Sequence, residues 1–66
     1  MTITANGKQR MLADGSSVDM MLRELGLTPE RVVVEHNGAA LHRNRFAATV
    51  LSEGDHLEIA QMVGGG

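Results

Sequence analysis

Cysteine is absent from the 66 residues, and so are tryptophan and tyrosine. The first absence removes disulfides, thiolate nucleophiles, cysteine-ligated zinc and iron–sulfur clusters together. A secreted domain of this size usually needs such staples, so a reducing cytoplasm is the expected setting. Phe46 is the one aromatic, leaving a single ring on which a nucleobase could stack. The cations Lys8, Arg10, Arg23, Arg31, Arg43 and Arg45 are scattered through a chain of formal net charge -2. Phosphate neutralisation has no basic stripe to work through, and nucleic acid is not expected as a partner. No apolar run approaches the roughly 20 residues of a membrane span, and no basic start followed by an apolar stretch opens the chain. Neither a membrane anchor nor an export signal is therefore expected.

What remains is a globular composition. Apolar residues make up 42% of the chain, with five Met, so aliphatic side chains have to fill one thin core. Met1, Ile3 and Ala5 alternate with Thr2, Thr4 and Asn6, and Asn6-Gly7 is a strong hairpin signal, with Gln9 to Leu12 as the return strand. Ser16 and Ser17 supply N-cap hydroxyls, and Asp19 suits the positive end of a helix dipole. Val18, Met21, Leu22 and Leu25 then fall at helical spacing, and Gly26 follows as a stop. After a Thr28-Pro29-Glu30 connector, Arg31 to His36 is β-branched and extended, and a second Asn-Gly pair, Asn37-Gly38, leads to a short strand over Ala39 to Leu41. Arg43 to Phe46 reads as a turn. Ser52 to Asp55 makes another, before a last strand over His56 to Met62 in which Leu57 and Ile59 alternate with Glu58 and Ala60.

This order predicts an α+β fold in which the first and last strands are adjacent and the helix lies across one face of a mixed sheet of four to five strands. That arrangement is a ubiquitin-like β-grasp. Residues 1–62 form the expected domain and residues 63–66 a flexible tail.

Side-chain catalysis is poorly supported. The serines are explained as caps, with no strand-turn-helix elbow around them. His36, His42 and His56 lack the spacing of metal-ligand pairs, and Glu53 and Asp55 flank Gly54 in a turn where Asp commonly bonds its own backbone. No bound cofactor and no metal are expected.

The sequence ends Gln61-Met62-Val63-Gly64-Gly65-Gly66. No helix follows these glycines to offer amides to a phosphate, so they are not a nucleotide-binding loop. An α-carboxylate is an anion at neutral pH, able to attack the α-phosphate of ATP on an activating enzyme. Glycines carry no Cβ and suit a narrow channel, and Val63 to Gly66 could hold the carboxylate on the order of 13 Å from the domain. Without a thiol, the terminal carboxyl is the only place this chain could carry sulfur.

The whole chain resembles the ThiS family, the sulfur carriers of thiamine biosynthesis. The resemblance rests on the strand ending in Asn6-Gly7, the helix around Val18 to Leu22, Val32-Val33-Val34-Glu35-His36-Asn37-Gly38, the Glu53-Gly54-Asp55 turn and Val63-Gly64-Gly65-Gly66. It implies that the Gly66 carboxylate is adenylated by a ThiF-type enzyme using MgATP. It implies also that a cysteine desulfurase or related persulfide donor supplies sulfur, and that the Gly66 thiocarboxylate donates it to thiazole synthase. The carrier would be a cosubstrate, not an enzyme, with Gly65 and Gly66 matching the family's terminal pair. Where such carriers often have proline and tryptophan, His42 and Phe46 stand here. The expected partner contacts are Val63, Gly64 and Gly65 on the tail and Glu58, Ala60 and Met62 on the sheet face away from the helix, beside Thr2 or Thr4. A carrier for molybdopterin synthase, a ubiquitin-like modifier of lysines and a β-grasp interaction module with an incidental tail are the competing readings.

Overall fold

The computed structural model describes residues 1–63. Thr2–Ala5 (β1) and Lys8–Met11 (β2) form the first hairpin, followed by a helix, Val18–Glu24 (α1). A 3₁₀ turn, Pro29–Arg31, leads into Val32–His36 (β3) and Ala39–Leu41 (β4), and a second turn, Arg43–Arg45, precedes His56–Gln61 (β5). All five strands join one sheet in the order β2-β1-β5-β3-β4. β1 and β5 run parallel, and the other pairings are antiparallel.

Both Asn-Gly pairs adopt the backbone that tight hairpins require. Asn6 and Gly7 have φ of 51° and 81°, and Asn37 and Gly38 have 52° and 86°, the left-handed values at both central positions that match the right-handed twist of the flanking strands. The first return strand starts at Lys8 rather than Gln9, and the last strand ends at Gln61 rather than Met62.

The helix begins as its serines dictate. Ser17 Oγ accepts the Met20 N–H at 3.1 Å, whereas Ser16 Oγ turns away to donate to the Ala13 carbonyl at 2.7 Å and closes the preceding loop. Seven residues cannot hold a helix alone in water. Burial of Val18, Met21 and Leu22 against Ile3 and Ala5 of β1, Leu57 of β5 and Val32 and Val34 of β3 supplies the stabilisation. Leu25, the fourth expected stripe residue, is only partly buried, because the helix stops at Glu24 and Gly26 reverses the chain at φ 77°. Phe46, read as part of a polar turn, is a core residue at 2% exposure. Its carbonyl accepts from Asp19 N–H at 3.2 Å and the Thr49 carbonyl accepts from Val18 N–H at 2.9 Å, so residues 46–49 run beside the helix start.

Two polar devices hold β5 in place. Regular pairing between β1 and β5 covers Thr4 with His56 and Ala5 with Leu57, and the Asn6 side chain then extends it. Asn6 Oδ1 accepts the Ile59 N–H at 2.7 Å and Asn6 Nδ2 donates to the Ile59 carbonyl at 3.0 Å, as a backbone amide would. Replacing Asn6 by Ala removes both bonds and puts a Cβ-bearing residue without a local polar partner at positive φ, an expected loss of about 1–3 kcal/mol. Asn6→Gly keeps the backbone freedom and loses only the bonds. Urea midpoints should therefore rank wild type, Asn6→Gly, Asn6→Ala in falling stability.

At the other end of β5, Asp55 gathers the turn. Its carboxylate accepts from His36 Nε2 at 2.9 Å, Asn37 Nδ2 at 3.2 Å and the Ser52 N–H at 2.9 Å. Burial pushes the Asp55 carboxyl up, but the bonds from His36, Ser52 and Asn37 and the His36 charge outweigh it and leave the group below its ordinary value. A carboxylate depressed by folding adds stability above its unfolded pKa of about 3.9, and that stability is lost as pH falls through the folded value. Wild type should thus lose stability more steeply than Asp55→Asn as pH falls below about 4. Equal slopes in urea unfolding across that range would contradict the assignment.

Candidate carrier strand and docking face

The candidate site starts from the place of β5 in the sheet. This strand lies between β1 and β3, paired with β1 at His56 and Leu57 and with β3 from Leu57 to Gln61, so the chain leaves the domain from the middle of the sheet. Beyond Gln61 one further bond, from Met62 N–H to the Arg31 carbonyl at 2.8 Å, ties it down. Val63 follows at 92% exposure. Gly64, Gly65 and Gly66 lie outside the described residues.

Alternation along β5 sends Leu57 and Ile59 towards the helix and leaves Glu58 and Ala60 exposed on the opposite face. Thr2 and Thr4 of β1 alternate with buried Ile3 and Ala5 and share this outer face. The register brings in residues that sequence reasoning missed. Val33 pairs with Ala60 and Glu35 with Glu58 across β3 and β5, and Ala40 of β4 pairs with Glu35. Val33, Glu35, Ala40, Glu58 and Ala60 line one shallow depression. Val33 is 60% exposed, an apolar side chain in the middle of a sheet face. The signal was present in Val32-Val33-Val34-Glu35, but three identical residues conceal which faces outwards. Met62 is 49% exposed just past the strand end.

The chemistry of this face is apolar at its centre and acidic along one side. Glu35 and Glu58 stand directly opposite each other in adjacent strands, where like charges oppose folding. Such a pair is relieved by a cation from outside. The face thus joins an exposed apolar centre at Val33 to an acidic side at Glu35 and Glu58. Among the described residues, no group of three or more His, Asp or Glu converges as a metal site, and no helix is long and apolar enough to cross a membrane.

A five-stranded mixed sheet in this order, with one helix across one face and the central strand continuing outwards, defines a ubiquitin-like β-grasp protein. The ThiS family model matches residues 2–66. The crystal structure of the thiamine biosynthesis protein ThiS from Geobacter metallireducens superposes with a TM-score of 0.84 at 38% identity, each chain covered in full. A solution structure of a thiamine biosynthesis protein from the same organism gives 0.81, over 100% of this chain and 88% of that one. All 66 residues also align at 38% identity with a thiazole synthase of Magnetococcus marinus, of which they span 20%. The uncharacterized protein ycf40 of Pyropia yezoensis is 35% identical, with 93% of its length covered. The chain belongs to the ThiS family, whose members carry sulfur in thiamine biosynthesis.

Proposed function

We propose that this chain is a protein cosubstrate that carries sulfur as a thiocarboxylate on Gly66. The carboxylate attacks the α-phosphate of MgATP on a ThiF-type adenylating enzyme, forming an acyl-adenylate and releasing pyrophosphate. The terminal sulfur of a persulfide, held by a cysteine desulfurase or related donor, then attacks the acyl carbon and expels AMP. A thiol of a partner protein, a group this chain lacks, then attacks the donor cysteine's sulfur in the resulting S–S bond, forming a disulfide with the donor and releasing the thiocarboxylate with its new C–S bond. Thiazole synthase receives that sulfur. The catalytic groups belong to the partners, and this chain contributes the reacting carboxyl and the surface by which it is held.

One observation carries the reading: the family match runs through the terminal glycines, and the described part of the chain delivers them from the central strand of the sheet. The two thiazole synthases, from Magnetococcus marinus and Paramagnetospirillum magneticum, support the choice of acceptor, since each contains a stretch similar to this entire chain in a protein of which it is 20%. Val63, Gly64 and Gly65 would occupy the partner's channel while Glu58, Ala60 and Met62, joined by Val33 and Glu35, seat the domain.

The test is intact-mass spectrometry. Incubation with the adenylating enzyme, MgATP and a persulfide-loaded desulfurase should raise the mass by the difference between sulfur and oxygen, and thiazole synthase should reverse the shift when supplied with its other substrates. An unchanged mass, or a remnant of this chain joined to target lysines, would overturn the proposal.

A further inference from the structure

The helix side of the sheet carries a second groove, at the end where α1 stops. Its apolar floor is Ala5, Leu25, Leu27 and Ile59. Leu25 and Leu27 are only partly buried because the helix ends at Glu24 before it can cover them. One wall is β2, an edge strand whose four residues are all exposed. Lys8 and Arg10 pair with the buried Ala5 and Ile3, which puts both cations on the helix face of the sheet, two residues apart. Neither has an ion-pair partner among the described residues. Glu24 stands on the opposite wall.

We propose that this groove binds an extended, acidic segment of a partner protein. The spacing specifies the occupant. An extended chain rises about 3.3–3.4 Å per residue, so carboxylates at alternate positions meet Lys8 and Arg10 together, while the residues between them face Leu25, Leu27 and Ile59. Glu24 repels a segment placed with its acids towards the helix and so sets which way the occupant faces. A second copy of this chain is disfavoured at the same edge, because its own Lys8 and Arg10 would meet these two. The site is opposite in charge and opposite in face to the Glu35–Glu58 docking surface. It depends on no assumption about sulfur.

A blocked hexapeptide of alternating glutamate and valine, titrated into the isotope-labelled full chain, tests the assignment by amide chemical shifts. Saturable shifts should concentrate in residues 8–11 and 24–27, and should shrink with added salt. The Lys8→Glu/Arg10→Glu variant should bind at least about tenfold more weakly, with Lys8→Gln/Arg10→Gln intermediate, since close charge pairs across an interface commonly contribute that much. Melting curves of each variant keep a folding defect distinct from a binding one. Equal shifts from a lysine–valine hexapeptide, shifts confined to the outer face of β3 and β5, no shifts at millimolar peptide, or wild-type affinity in a folded Lys8→Glu/Arg10→Glu variant would each overturn the proposal.

Discussion

Deleting Gly66 should lower the yield of thiocarboxylate at least a hundredfold while leaving the melting curve of the domain unchanged. The shortened chain still ends in a glycine carboxylate, so its intrinsic reactivity is that of the full-length terminus. What changes is reach. One residue fewer draws the carboxylate back by roughly 3.3–3.6 Å, and a misplacement of about 1 Å at a reacting centre can already cost on the order of a hundredfold. Extending the chain by one residue beyond Gly66 should be as damaging, for the same reason with the opposite sign. Gly65→Val separates width from length, because it keeps the terminus in register and adds a branched side chain where the partner's channel would accept none. Single-turnover formation of the heavier species, followed by mass, reads all three variants. Full yield from the shortened chain would place the reacting group elsewhere.

The second large effect lies inside the domain. Leu57→Ala should cost about 2–5 kcal/mol, the range for removing a buried leucine side chain and leaving part of its cavity behind. Leu57 is 1% exposed, on the central strand, facing the helix residues of the core. A domain of 66 residues has only roughly 3–10 kcal/mol in total. The variant should therefore unfold at a urea concentration lower by roughly 2 M or more, taking about 1 kcal/mol per molar for so small a chain. Val33→Ala, on the same sheet but 60% exposed, should move the midpoint by well under half as much. A Leu57→Ala midpoint close to that of wild type would mean that β5 is not the strand on which the core depends.

Most of the architecture could be read from the chain because local chemistry and global packing agree. The two Asn-Gly pairs, the Ser17 cap and the Val18, Met21, Leu22 stripe each name a structure by themselves, and the adjacency of the first and last strands follows from packing the helix on the most regular alternations, whereas the central place of the last strand is set by its pairing with β3. Residues 46–51 were less legible. Phe46 and Leu51 are buried as single anchors from irregular backbone, and no periodicity marks such a residue. The outer sheet face was half visible. Glu58 and Ala60 followed from the alternation of β5, but Val33 and Glu35 join them only through the β3–β5 register, which no local pattern encodes. The Asn6 clamp was hidden differently: Asn6 was recognised as a turn residue, and its two bonds to Ile59, 53 positions away, use the same side chain for a second purpose.

The placement of β5 between β1 and β3 has a mechanical consequence. A terminus drawn into another protein's channel transmits tension to the strand that bears it. On an edge strand, the same axial pull would be resisted by a single ladder. β5 has ladders on both sides, and traction along its axis loads the parallel β1 pairing and the antiparallel β3 pairing in shear, many bonds at once, with the Asn6 clamp adding two more near the point of pull. The domain can be gripped by its end and still resist being unravelled.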